Sequence, residues 1–144
     1  MRFKVPGTPE PLRRHRAGSR GGRVVTFDDP RNQPYQDRIR WAWREAGAES
    51  FGTDLVALYV AAVFRRPESH WTSRGFLSAA GRRAVNPSRS DVDNIAKNVM
   101  DALNGLAWVD DRQVMELTVT KSWGDTGESF LRVHGLVVTV EEDE

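Results

Sequence analysis

The segment from Leu55 to Phe64 (LVALYVAAVF) constrains the fold more than any other stretch of the chain. It is short, rich in β-branched and aromatic side chains, and bounded by Gly52 and Pro67. A run that is apolar at every position has no wet face, so its length and boundaries read as a central strand rather than a helix. The other elements are arranged around it. Phe3 to Val5 is an edge strand that runs into an extended loop at Pro6, Gly7, Pro9 and Pro11. The loop continues as a flexible basic arm through Arg13, Arg14, His15, Arg16, Arg20 and Arg23, with Gly18, Gly21 and Gly22 between them. Ile39, Trp43 and Ala46 recur at helical spacing from Pro34 onward, and Gly47 is a stop. Residues 65–90 read as a second basic loop with a short helix near Gly75 to Arg83, and residues 93–104 as a further helix. Gln113 to Lys121 and Phe130 to Val140 are β-rich runs read as a hairpin joined through Gly124 and Gly127, and Glu141 to Glu144 is a frayed acidic end. The expected architecture is α+β, a small mixed sheet packed against helices, in one domain over residues 1–144 with basic loops at about 8–24 and 65–90.

Composition narrows the chemistry. A chain of 144 residues, 39% hydrophobic, has apolar material for one core. No run approaches the roughly eighteen apolar residues that span a bilayer. The start MRFKVPGTPEP lacks the apolar core of a signal peptide, so a soluble, cytoplasmic protein with no membrane partner is expected. The absence of cysteine excludes disulfides, thiolate zinc sites and a cysteine nucleophile, so any metal must be held by oxygen or imidazole. Charge is unevenly spread: residues 1–90 hold 17 of the 21 Lys and Arg and 8 of the 20 Asp and Glu, whereas residues 91–144 hold 4 and 12. A basic surface beside an acidic centre suits an enzyme that grips phosphates and positions a cation on them. The Arg excess, 18 against 3 Lys, carries little weight, because a GC-rich genome produces it too.

The acidic centre begins at Asp91-Val92-Asp93. In extended backbone two acids at this spacing share one side of the chain and form a claw for a hard cation. Asp93 is a good N-cap for a helix whose core stripe is Ile95, Val99, Ala102 or Leu103, and Leu106. Lys97 and Asp101 follow Asp93 at helical spacing on the opposite face, so an ammonium stands one turn from the claw, with Asp101 a turn further on to orient it. After Asn104-Gly105 the chain returns to Asp110-Asp111, whose side chains point to opposite sides, one toward the claw and the other to a local cap; either assignment is open at this level. Calcium of the EF-hand type is excluded, because the fifth, sixth and twelfth loop positions are Ile95, Ala96 and Ala102.

The run Asp91 to Gly105 (DVDNIAKNVMDALNG), followed by Trp108 to Val114 (WVDDRQV), resembles the signature of the RusA family of Holliday junction resolvases. The N-terminal strand with its Pro-Gly-x-Pro, the basic loop and a helix containing Tyr35 are similar in outline. The resemblance implies a homodimer of α+β subunits that nicks four-way DNA junctions symmetrically, with Mg²⁺ (Mn²⁺ as a substitute) on clustered aspartates. Carried over by position, Asp91 and Asp93 are the claw, Lys97 the essential lysine and Asp111 the later catalytic aspartate, with Asp110 its neighbour and Asn94 and Asp101 in support. The family often has Lys-Pro before its first aspartate; Arg89-Ser90 stands there here, with Pro87 upstream, so the grip on DNA is where this chain departs.

DNA contacts are expected from Arg13, Arg14, Arg16 and Arg89. Trp41, Trp43 and Trp108 are read as core or dimer interface, and Trp71 lies in the basic loop. His15 is placed near phosphate, while His70 and His134 show no ligand spacing. The rival from another class is a branched-DNA binding protein that does not cut.

Overall fold

The computed structural model describes residues 1–137. Its main sheet has the order β1-β6-β4-β5, with β1 Arg2–Pro6, β4 Val56–Arg65, β5 Val114–Gly124 and β6 Glu128–Gly135. As its composition requires, β4 lies inside the sheet, antiparallel to β6 and parallel to β5. The sheet is therefore mixed, and with its helices the fold is α+β. Phe3, Val5, Val56, Leu58, Val60, Ala62, Leu131 and Val133 form one buried layer. Over it lie α1 (Gln33–Glu45), through Tyr35, Ile39 and Trp43, and α3 (Val92–Leu103), through Ile95, Val99 and Leu103.

Two expectations are corrected. β5 and β6 do not form a hairpin but flank β4 on opposite sides. A short connection with glycines looks the same in sequence whether two strands pair or straddle a third. Here the apolar demand of β4 for a neighbour on each edge decides the outcome. The chain crosses the end of β4 so closely that a Cβ on Gly124 would stand 2.5 Å from Val63 Cγ1. The described part of the last run ends as β6 at Gly135, and Val138 to Glu144, including the acidic tail, lies outside the described residues. The flexible arm is also not a loop throughout: β2 (Arg16–Arg20) and β3 (Arg23–Phe27) pair as a two-stranded hairpin. Its turn is Gly21-Gly22, with φ of 60° and 78°, the left-handed pair that a tight hairpin turn requires. The second basic loop holds the expected short helix as α2 (Ala79–Arg83). Trp43 and Trp108 are core, but Trp41 is 55% exposed and is not.

One buried polar pair ties α1 to the sheet: Tyr35 Oη and Ser129 Oγ lie 2.6 Å apart in the core. Burial, partly offset by Ser129 and Arg38, pushes the Tyr35 phenol up to about 12. The folded value exceeds the unfolded value of about 10, so this contribution is complete below pH 10 and is lost as pH rises toward 12. Tyr35→Phe leaves the Ser129 hydroxyl buried without its partner and should cost roughly 1–2 kcal/mol at pH 7. Urea unfolding at pH 7 and pH 11 checks this, with the deficit shrinking at the higher pH because the variant has no phenol to ionise.

Candidate active site

The helix ladder of α3 starts where Ile95 N donates to Asp91 O at 3.1 Å, so Asp91 is the N-cap residue and Asp93 falls within the first turn. This corrects two readings: Asp93 does not cap the helix, and Asp91 and Asp93 are not two teeth of one extended strand. Asp91 is extended at φ −76° and ψ 141°, its side chain makes no capping bond, and the next two residues are already helical. Asp93 instead adds negative charge at the positive end of the helix. The core stripe is as expected, with Ile95, Val99, Ala102 and Leu103 buried. Asp93, Lys97 and Asp101 lie on the exposed side. Lys97 Nζ stands 3.9 Å from Asp93 Oδ2 with both side chains largely in solvent. Such a pair adds little stability and leaves the ammonium free to meet an anion.

The strongest electrostatic neighbours of Asp101 do not include Lys97. Burial first, then Asp111 and Asp28, push its carboxyl above the usual range, against the opposing pull of His15 and Arg40. Negative charge from α3, from the end of the basic arm and from the turn at 111 therefore gathers in one region. His15 Nε2 lies 3.1 Å from Asp28 Oδ1, which brings the arm to the same region.

The two acids left undivided by sequence are divided by their turn. Asp110 is the N-cap of a 3-10 turn (Asp111–Gln113), accepting from Arg112 N at 2.9 Å. That bond, followed by the Arg112 guanidinium, holds its carboxyl below the usual range. Asp111 Oδ1 instead accepts from Trp108 Nε1 at 2.8 Å, so a buried indole aims it. Gln113 locks the turn: Oε1 accepts from Val109 N and Asp110 N at 2.9 and 2.8 Å, and Nε2 donates to Gly52 O and Asp54 O at 2.7 and 2.8 Å.

Three residues that position this region were not singled out from sequence. Fully buried Asn98 accepts from Gln36 Nε2 at 2.8 Å and donates to Glu10 O at 3.0 Å, pinning the N-terminal loop to α3. Leu12 N adds a bond to Asn94 O at 2.8 Å, so the backbone of Asn94 anchors the same loop. Lys121 Nζ reaches from β5 to Ser90 O at 2.9 Å and fixes the residue before Asp91. Gln113 is the third. A polar residue beside the apolar stripe of α3 was a usable signal for Asn98; Lys121 and Gln113 reveal themselves only through pairing across the fold.

The basic residues divide as well. Arg13 is engaged by Glu10 at 3.2 Å and by Arg31 O at 3.3 Å, Arg14 and Arg89 are exposed, and Arg16 opens β2. His70 packs edge-on against Trp123 and His134 stacks on Tyr59.

Among the described residues, no three carboxylate or imidazole side chains converge as a ligand set. Asp93 is turned to Lys97 and Asp111 to Trp108. The donors are oxygens alone, and after burial it is Asp111 and Asp28 that raise the Asp101 carboxyl, against His15 and Arg40. In kind and in charge these residues fit a hard divalent cation.

The chain matches the family Endodeoxyribonuclease RusA over residues 6–134 and belongs to that family. It is also similar to a Bacillus subtilis (strain 168) protein, "Uncharacterized protein YqaN", at 29% identity over 126 residues, 87% of this chain and 89% of the relative. No helix among the described residues is long and apolar enough to cross a membrane.

Proposed function

We propose that the protein is a Mg²⁺-dependent endodeoxyribonuclease that resolves four-way DNA junctions by paired symmetric nicks in recombination and repair. The observation that carries this reading is the exposed face of α3, where Lys97 stands 3.9 Å from Asp93, together with Asp111, whose carboxylate is aimed by a buried indole rather than spent on a cap. Family membership supports the class of reaction. Paired cuts at symmetric positions need two equivalent sites related by a two-fold axis, so the working unit is a homodimer.

Asp91, Asp93 and Asp111 would hold the Mg²⁺, with Mn²⁺ as a substitute. An ion held there would supply Lewis-acid polarisation of the scissile phosphate. Lys97 leaves its weak pairing with Asp93 to donate to a non-bridging phosphoryl oxygen, stabilising charge as it builds there. Asp101 sets the local field beside Asp111. Trp108 and Gln113 hold the Asp111 turn so that its carboxylate need not be reorganised during the reaction.

Labelled four-way junctions incubated with and without Mg²⁺ test the proposal: paired symmetric nicks are expected only with the metal. Cutting confined to flaps or single strands would make the protein a different branch-specific nuclease, and binding without cutting would make it a non-catalytic branched-DNA binder.

Affinity is expected to fall with salt as counterions are released. Neutralising Arg13, Arg14 and Arg16 should flatten the plot of log K against log salt by about 0.9 for each phosphate that is no longer neutralised. Arg14 should account for more of the change than Arg13, which already has protein partners. Arg89→Ala should add a similar decrement, and an unchanged slope would move the DNA surface elsewhere.

A further inference from the structure

A cleft of about 700 Å³ opens beside the N-terminal end of α3, between the loop bearing Thr8 to Arg13 and the loop bearing Ala84 to Ser90. Of its lining, Arg13 and Arg89 enter the proposed function as DNA contacts and the rest does not. Half-buried Trp123 at the end of β5 and exposed Pro67 give it an apolar side backed by the buried Phe64, Glu10 and His70 add polar groups, and Arg13, Arg65 and Arg89 come to it from three separate segments. The wall is built rather than loose. The Arg66 guanidinium lies 5.1 Å from the Trp123 ring centroid and donates to Gly81 O at 2.9 Å and Ala84 O at 3.3 Å. Trp123 Nε1 donates to Ala84 O at 2.9 Å, and Lys121 Nζ holds Ser90 O at 2.9 Å.

We infer that this cleft receives one unpaired nucleotide of the branched DNA, its base against Trp123 and Pro67 and its phosphate between Arg65 and Arg89. The inference rests on the reading of the chain as a branched-DNA nuclease. A track for duplex backbone needs only basic surface. A cleft that offers an accessible indole and a proline next to arginines is instead what a stacked base with its phosphate requires. Branch points are where this costs least, because a base there has already lost part of its stacking. Position completes the argument: Ser90 lines the cleft and is followed directly by Asp91, so a nucleotide held here neighbours the phosphate to be cut. Enclosure of one base next to the reacting bond also makes the cleft a reader of sequence at the cut.

The test places 2-aminopurine at successive positions through the crossover of a four-way junction, bound to the full-length protein in metal-free buffer. At one position adjacent to the cut, emission should depart at least twofold from the free junction and become shielded from acrylamide. Ser88→Trp, which fills the cleft from an exposed loop position, should abolish that shielding and weaken junction affinity by roughly three- to tenfold as the stacked base is displaced. Arg65→Ala, also at an exposed position, should weaken it at least threefold. In Mg²⁺, cutting rates across junctions differing in the bases at the crossover should converge for Ser88→Trp. Tight junction binding with no shielded position would overturn the cleft assignment alone. Failure to bind any junction would overturn the nuclease reading and the inference with it.

Discussion

Asp93→Asn is expected to slow junction cutting by roughly a thousandfold or more, because one oxygen ligand is removed where the substrate phosphate must be polarised. Binding should persist. Removing a negative charge from the helix proposed to face DNA leaves the arginine contacts in place, so the dissociation constant should be equal to or slightly below that of the parent at the same salt. Cutting assayed with saturating protein and binding assayed without Mg²⁺ separate the two effects, and retained cleavage by the variant would remove Asp93 from the metal set. Asp111→Asn should match it. Asp110→Asn is the control with the opposite outcome: asparagine still caps the 3-10 turn, so cutting should stay within about fivefold of the parent. Equal losses at positions 110 and 111 would contradict the division of labour that Trp108 and Arg112 impose on them.

The second large effect lies at Trp108, 1% exposed and hydrogen-bonded to Asp111. Trp108→Ala empties a packed position and should cost roughly 3–5 kcal/mol, much of the stability of a domain this size. Trp108→Phe is the more informative change, since it keeps an aromatic ring in the core while removing the indole donor and part of the ring volume. It should cost roughly 1–2 kcal/mol, well below the alanine variant, and in the folded protein cutting should fall about ten- to a hundredfold as Asp111 loses its aim. An unaltered rate for the phenylalanine variant would reduce Trp108 to a packing residue.

The chain made its central strand legible because ten apolar positions in sequence leave nowhere else for β4 to go, and the stripe of α3 was legible for the same reason. The partners of β4 were not. The turn at 125–127 is compatible with a hairpin, and only the competition for the edges of β4 sends β5 and β6 to opposite sides. The basic arm concealed a hairpin because β2 (RAGSR) carries almost no apolar character, so Val24, Val25 and Phe27 of β3 and the Gly21-Gly22 turn had no matching partner strand to be read with. At the site, residue types were readable but roles were not. Whether Asp91 or Asp93 begins the helix depends on one backbone bond to Ile95. Which of Asp110 and Asp111 faces α3 depends on an indole three residues away in sequence, whose orientation follows from burial.

The β2–β3 hairpin hydrogen-bonds only to itself in the strand ladder, apart from the four-stranded sheet. Two strands alone are marginal in water, so its amides should exchange with solvent long before those of β4, on a free-energy scale set by local opening rather than global unfolding. Bound DNA would then tighten this tip at an entropic cost, giving association a steeper temperature dependence than a rigid basic surface would show.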